Sequence, residues 1–159
     1  MFRTLWSGTL LSGAVLLGVP PGLQAGEIAY PEGYRTWYHV KSMVIEPGHP
    51  LEDPFAGIHH VYANPAALQG LQGGEYADGA VLVFDLLEAQ AGDRAVTEGP
   101  RKLLGVMQRD AAAADTGGWA FEAFAGDSRR ERLVKDGGAS CYACHTDVRD
   151  SAFVFTKLR

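Results

Sequence analysis

Asp78-Gly-Ala-Val-Leu-Val-Phe-Asp-Leu-Leu87 is the stretch that decides the fold class. Asp-Gly is a turn dipeptide, and the apolar run Ala80 to Leu87 behind it reads as a strand. Upstream, Tyr34 to Ile45 (YRTWYHVKSMVI) is rich in aromatic and β-branched residues and reads as another strand. Glu46-Pro-Gly-His-Pro50 ends it, because two prolines and a glycine cannot continue a ladder. Gly57 to Ala63 (GIHHVYA) is a further strand. Asn64-Pro65 then opens a short helix, with Asn as N-cap and Pro at the first helical position, and Gly73-Gly74 closes it. Downstream, Lys102 to Arg109 and Trp119 to Ala125 add two strands, and Ser128 to Lys135 reads as a charged helical turn or two before Gly137-Gly138. Strands following one another with few long helices predict a mainly β (α+β) protein: an antiparallel sheet with short helices attached.

Composition narrows the function. The chain has 159 residues, 47% of them hydrophobic, a formal charge of −5 and only 2 cysteines. One globular domain follows from that length and apolar content. The acidic balance (pI near 5.5) argues against a nucleic-acid partner, which needs a basic face. Residues 1–25 read as a cleaved secretory signal: Arg3 is the sole charge, Leu5 to Val19 is apolar, and Pro20-Pro-Gly22 precedes the small-residue end at Ala25. The mature domain then spans residues 26–159, free of the membrane in an exported compartment, the periplasm.

The chemistry lies near the C-terminus, in Cys141-Tyr-Ala-Cys144-His145. Cys-x-x-Cys-His is the attachment signal of c-type haem. On a short helical turn the two thiols lie on one side, where they add to the two haem vinyl groups, and the next residue presents its imidazole to the iron. Cys141 and Cys144 are thus the covalent attachment pair on a C-terminal helix, and His145 is the proximal iron ligand of one haem c. A redox dithiol would need a βαβ setting that the pattern lacks. A structural zinc would want two further ligands at paired spacing. For the sixth iron position Met43, Met107, His39, His59 and His60 are all available by residue type. Met43 and Met107 alternate with apolar residues in strands and read as core. His59 and His60 are adjacent on a strand, so only one of them can face the haem.

Tyr34-Arg35-Thr-Trp37, Phe55…Ile58…Val61-Tyr62…Pro65, Asp78-Gly79, Trp119-Ala-Phe121 and Cys141-x-x-Cys144-His145…Phe153-Val-Phe155-Thr occur in this order along the chain. Together they resemble the cytochrome P-460 family of periplasmic monohaem cytochromes. The resemblance implies a mainly antiparallel β fold, a homodimer, and a c-type haem that is five-coordinate and high-spin when reduced. In the hydroxylamine-oxidising branch a lysine five residues beyond the Asp-Gly glycine is cross-linked to the macrocycle. That position is Phe84 here, and phenylalanine has no amine. The chain is more similar to the cytochrome c′-beta branch, whose distal pocket is capped by two phenylalanines; Phe55 and Phe84 match them, and His59 matches the distal arginine of the lysine-bearing branch. The resemblance implies reversible binding of NO or CO, with a redox partner protein as a further expectation. The alternatives are a hydroxylamine or NO oxidoreductase and a plain electron carrier. Arg129, Arg130 and Arg132 read as a solvated helix face, and Glu122 as either a pocket acid or an outward carboxylate.

Overall fold

A computed structural model describes residues 27–158, so the signal assigned to residues 1–25 lies outside the described residues. Five strands form one antiparallel sheet: β1 (Tyr38–Ile45), β2 (Gly57–Ala63), β3 (Val81–Gly92), β4 (Ala95–Arg109) and β5 (Trp119–Ala125). Each pairs with the next, giving the order β1-β2-β3-β4-β5. Three short helices decorate it: α1 (Glu52–Phe55), α2 (Pro65–Gly73) and α3 (Ala139–His145). The mainly β class read from the sequence is the class observed. Among the described residues no helix is long and apolar enough to cross a membrane.

Local chemistry places these elements. Asn64 caps α2, its side chain accepting the Ala67 N–H at 2.8 Å, and the same oxygen accepts the Val81 N–H at 3.0 Å. One side chain therefore satisfies a helix start and ties it to the first residue of β3.

Three segments differ from the sequence reading. Tyr34–Thr36 is a 3₁₀ turn, not the start of β1. Its Tyr34 side chain is drawn down to a buried carboxylate, which an extended backbone with alternating faces would not allow at that point. The β3–β4 hairpin runs past Leu87 to a turn at Asp93-Arg94, with φ of 49° and 63°. Both turn residues are left-handed, the geometry for which Asn-Gly or Asp-Gly is the usual signal. Asp-Arg gives none, and the exposed arm carries no alternation of burial. Residues 128–135 are not helical. Arg132 bridges to Phe124, and the Ala125 and Leu133 N–H groups donate to Glu131 and Ala123 carbonyls, so the segment satisfies the open edge of β5.

The sheet separates two apolar clusters. On one face Ala63, Leu82, Met107, Trp119 and Phe121 pack together with Ala67 of α2, Val154 and part of α3. On the other, Val83, Leu104, Val106 and Phe124 are covered by Ile28 and Tyr34. Asp85 lies on this second side, fully buried. It accepts hydrogen bonds from Tyr34 Oη at 2.6 Å, Arg35 Nη2 at 2.8 Å and Arg101 Nε at 2.7 Å. Burial alone would raise its pKa, but the bonds from Arg101, Tyr34 and Arg35 outweigh it and hold the carboxyl below its ordinary range. Burial and the neighbouring Asp85 carboxylate push Tyr34 up to about 12, so it stays a neutral donor. The network clamps the chain before β1 onto β3, on the sheet face turned away from Phe84.

Candidate functional site

α3 begins packed against β5. Gly138 has φ of 89°, and a Cβ there would lie 3.1 Å from the Phe121 Cβ, so only glycine lets the helix start against this strand. Asp136 accepts the N–H groups of Gly138 and Ser140 at 3.0 and 2.9 Å, satisfying donors at the helix start. Cys141 and Cys144 are three residues apart on α3 and so share one side of it. Cys141 is half-buried against the Trp119–Phe121 cluster, and Cys144 is exposed. Burial, with help from Asp136, raises the Cys141 thiol pKa.

His145 ends α3 with its ring between Phe121 and Phe155, both centroids 5.1 Å away. Its Nδ1 lies 2.6 Å from the Phe153 carbonyl oxygen. A carbonyl only accepts, so Nδ1 carries the proton and Nε2 keeps its lone pair, the tautomer a metal-binding imidazole needs. Burial lowers the His145 pKa, with the Phe153 carbonyl opposing it. The carbonyl reaches this point because Ala152 and Phe153 adopt φ of 54° and 64°. Left-handed backbone at two non-glycine residues is strained, and it persists where surrounding structure over-determines it. The Phe153 ring is held against Tyr142 of α3 at 5.4 Å, and the Trp119 indole donates to the Ala152 carbonyl at 3.0 Å.

A second group of residues sits on the same sheet face. Phe84 on β3 meets Phe55, at the end of α1, edge to face with centroids 5.8 Å apart. His59 on β2 stacks obliquely on Phe84 at 4.5 Å. Phe121 and Phe84 lie two strands and two residues apart, roughly 12 Å at ordinary strand spacing and rise. The site thus has a His145 side and a Phe84 side separated along one face. His59 is 2% exposed, and its Nδ1 is buried with no partner. Burial lowers its pKa to about 4, aided by the charges of Lys41 and His60, so the imidazole is neutral near pH 7.

Of the other residues named from sequence, Met43 lies opposite His59 across β1–β2 and so shares its face. His60 faces away, its Nε2 2.7 Å from Glu98 and its Nδ1 2.5 Å from Ser42, with His39 in the same chain of contacts. Met107 is buried in the cluster with Phe121, whereas Met43 is 41% exposed, which overturns its reading as core. Glu122 bonds Arg132 at 2.7 Å, and Arg132 also donates to the Ile28 carbonyl, so neither belongs to the site nor to a helix face. Arg129 pairs with Glu32. Among the described residues no group of three or more His, Cys, Asp or Glu is placed to hold a metal ion. Sequence reasoning missed the Phe153 carbonyl, Phe121 and Phe155 as neighbours of His145; nothing in one sequence marks a strained carbonyl.

The family model described as Cytochrome P460 matches residues 31–156. No curated protein matches the chain. A haem, the group this family implies, is compatible with the residues present. The donor set is two thiols on one helix side followed by an imidazole with a free Nε2. Phe155 leaves half its apolar surface uncovered beside that imidazole. His59 keeps an orphaned buried nitrogen, a polar group held on the same face without a protein partner. On the match across most of its length, the chain belongs to the cytochrome P460 family, haem-bearing cytochromes.

Proposed function

We propose that the chain is an exported, periplasmic monohaem c-type cytochrome of the cytochrome c′-beta kind that reversibly binds NO or CO. Cys141 and Cys144 would hold the haem through thioethers, and His145 would be its proximal ligand. When bound, the haem supplies a ferrous iron whose sixth position takes a small diatomic ligand. The observation that carries the reading is the Phe55–Phe84 edge-to-face pair on the sheet face that also carries His145.

The residues account for selectivity. Two aromatic rings offer no hydrogen bond to a polar ligand such as dioxygen, while NO and CO need none. The same rings crowd out larger molecules. His59 is the polar edge of this wall; burial keeps it neutral, so it adds no charge to the pocket. Phe84 carries no amine, so a macrocycle cross-link at that position has no nucleophile to form it. A homodimer is supported by the edge strand β1, which exposes Tyr38, Met43 and Val44 along a free hydrogen-bonding edge.

The test is titration of the reduced holoprotein with CO and with NO, followed by visible absorption. Saturable binding at one ligand per haem supports the reading. No spectral change with either gas contradicts it, and hydroxylamine turnover by the same preparation would favour the oxidoreductase alternative.

A further inference from the structure

Lys102 sits where β4 carries a residue that the ladder skips. Leu103 pairs with Leu86 and Arg101 with Leu87, so Lys102 has no cross-strand partner on β3. A bulge of this kind re-aims a side chain. Here the ammonium points to two backbone carbonyls, Pro54 at 2.9 Å and Ala56 at 2.7 Å. They are the carbonyls on either side of Phe55.

The segment's other hydrogen bonds are local: Phe55 N–H donates to the Leu51 carbonyl at 3.2 Å and Ala56 N–H to the Glu52 carbonyl at 2.6 Å. Glu52, Asp53 and Pro54 are exposed, Phe55 is only partly buried, and α1 is four residues long with a non-helical Asp53 inside it. On its other side the chain enters β2 through Gly57, with φ of 136°. A Cβ at Gly57 would lie 2.1 Å from the Leu87 carbonyl oxygen, beside the residue at which the β3–β4 register shifts. Glycine and lysine together thus bring the Phe55 segment down onto the bulge. Charge-assisted hydrogen bonds are about twice as strong as neutral ones, so two of them from one ammonium dominate the hold on so exposed a loop.

We propose that Lys102 is a positioning residue for the distal cap: by clamping the carbonyls of Pro54 and Ala56 it keeps the Phe55 ring on Phe84, and so sets the rate at which a ligand reaches the pocket. This rests on the reading that Phe55 and Phe84 cover the ligand position. Lys102 itself touches neither ring nor ligand. It acts by deciding how often the segment lifts.

The experiment compares Lys102→Met, Lys102→Arg and Phe55→Ala with the wild-type holoprotein. Amide hydrogen exchange at Phe55 and Ala56 reads the segment, and CO association after flash photolysis of the reduced protein reads the pocket. Lys102→Met removes both bonds and should raise both readouts at least about tenfold with exchange elsewhere unchanged, since one charge-assisted hydrogen bond alone corresponds to about that factor. Lys102→Arg, which keeps a cationic donor, should return both toward wild type. Unchanged exchange at Phe55 and Ala56 overturns the proposal. So does looser exchange with an unchanged CO rate while Phe55→Ala accelerates it. If Phe55→Ala leaves CO association unchanged, the distal-cap reading fails and takes the pocket role of Lys102 with it.

Discussion

His145 and Phe153 are joined by one hydrogen bond, from the imidazole Nδ1 to the carbonyl oxygen 2.6 Å away. Its acceptor belongs to a residue in left-handed backbone, φ 64°, so the fold bends the chain unfavourably at the place where the ring is oriented. The bond fixes the tautomer that leaves Nε2 free. A helix of seven residues, a 3₁₀ turn and a strained return form one local device that orients the ring and leaves its Nε2 free.

Covalent attachment is the first expectation. Replacing both Cys141 and Cys144 by Ala should abolish covalently bound haem, read as loss of the haem mass increment in the denatured protein. Retention of that increment would remove both cysteines from the site.

Phe84→Ala should open the wall that Phe55, His59 and Phe84 make. CO association with the reduced protein should rise about tenfold, equivalent to about 1.4 kcal/mol of barrier. Unchanged kinetics would mean that Phe84 is ordinary core.

Asp85 is the buried anchor for the chain entering β1. Asp85→Ala leaves Arg35 and Arg101 without their shared partner and should destabilise the fold by about 3–5 kcal/mol, measured by urea unfolding. Tyr34→Phe removes the bond to the same carboxylate and the ones the hydroxyl accepts from Arg101 and Arg35, and should cost about 1–2 kcal/mol. Equal effects from the two would mean that the ion pairs add nothing to the hydroxyl.

His59 gives the fold an acid-side weakness. Folding lowers its pKa from 6.5 to about 4. Between those values the unfolded chain binds a proton that the folded chain does not, so stability is complete above about pH 6.5 and declines as pH falls toward 4. The decline is about 3 kcal/mol at most, at 1.36 kcal/mol per unit. His59→Leu should flatten this arm of the stability profile; an unchanged slope would assign the acid sensitivity to other groups.

Much of this architecture can be read from one sequence because its signals are local. Gly57–Ala63 and Trp119–Ala125 read as strands with the bounds observed, and Asn64-Pro65 marks the start of α2. The Cys-x-x-Cys-His spacing marked α3. What stayed hidden depends on tertiary partners. Residues 128–135 carry the charges of a surface helix, but they bend at Arg129-Arg130 and bridge the edge of β5 through Arg132. The Asp93-Arg94 turn lacks glycine although both residues are left-handed. Lys102 looks like any strand lysine until a register shift turns it toward Pro54 and Ala56. His59 and His60 could be split between faces by alternation, but only the contacts with Phe84 and Glu98 show which one joins the site.

The central proposal is that His145 would hold a haem iron and that Phe55 and Phe84 would cover the position a gaseous ligand takes. The visible spectrum of the reduced holoprotein, recorded before any ligand is added, tests it most directly. The account predicts a broad five-coordinate high-spin spectrum that changes on addition of CO. Sharp low-spin α and β bands in the absence of added ligand would show a side chain already in the sixth position and would contradict it.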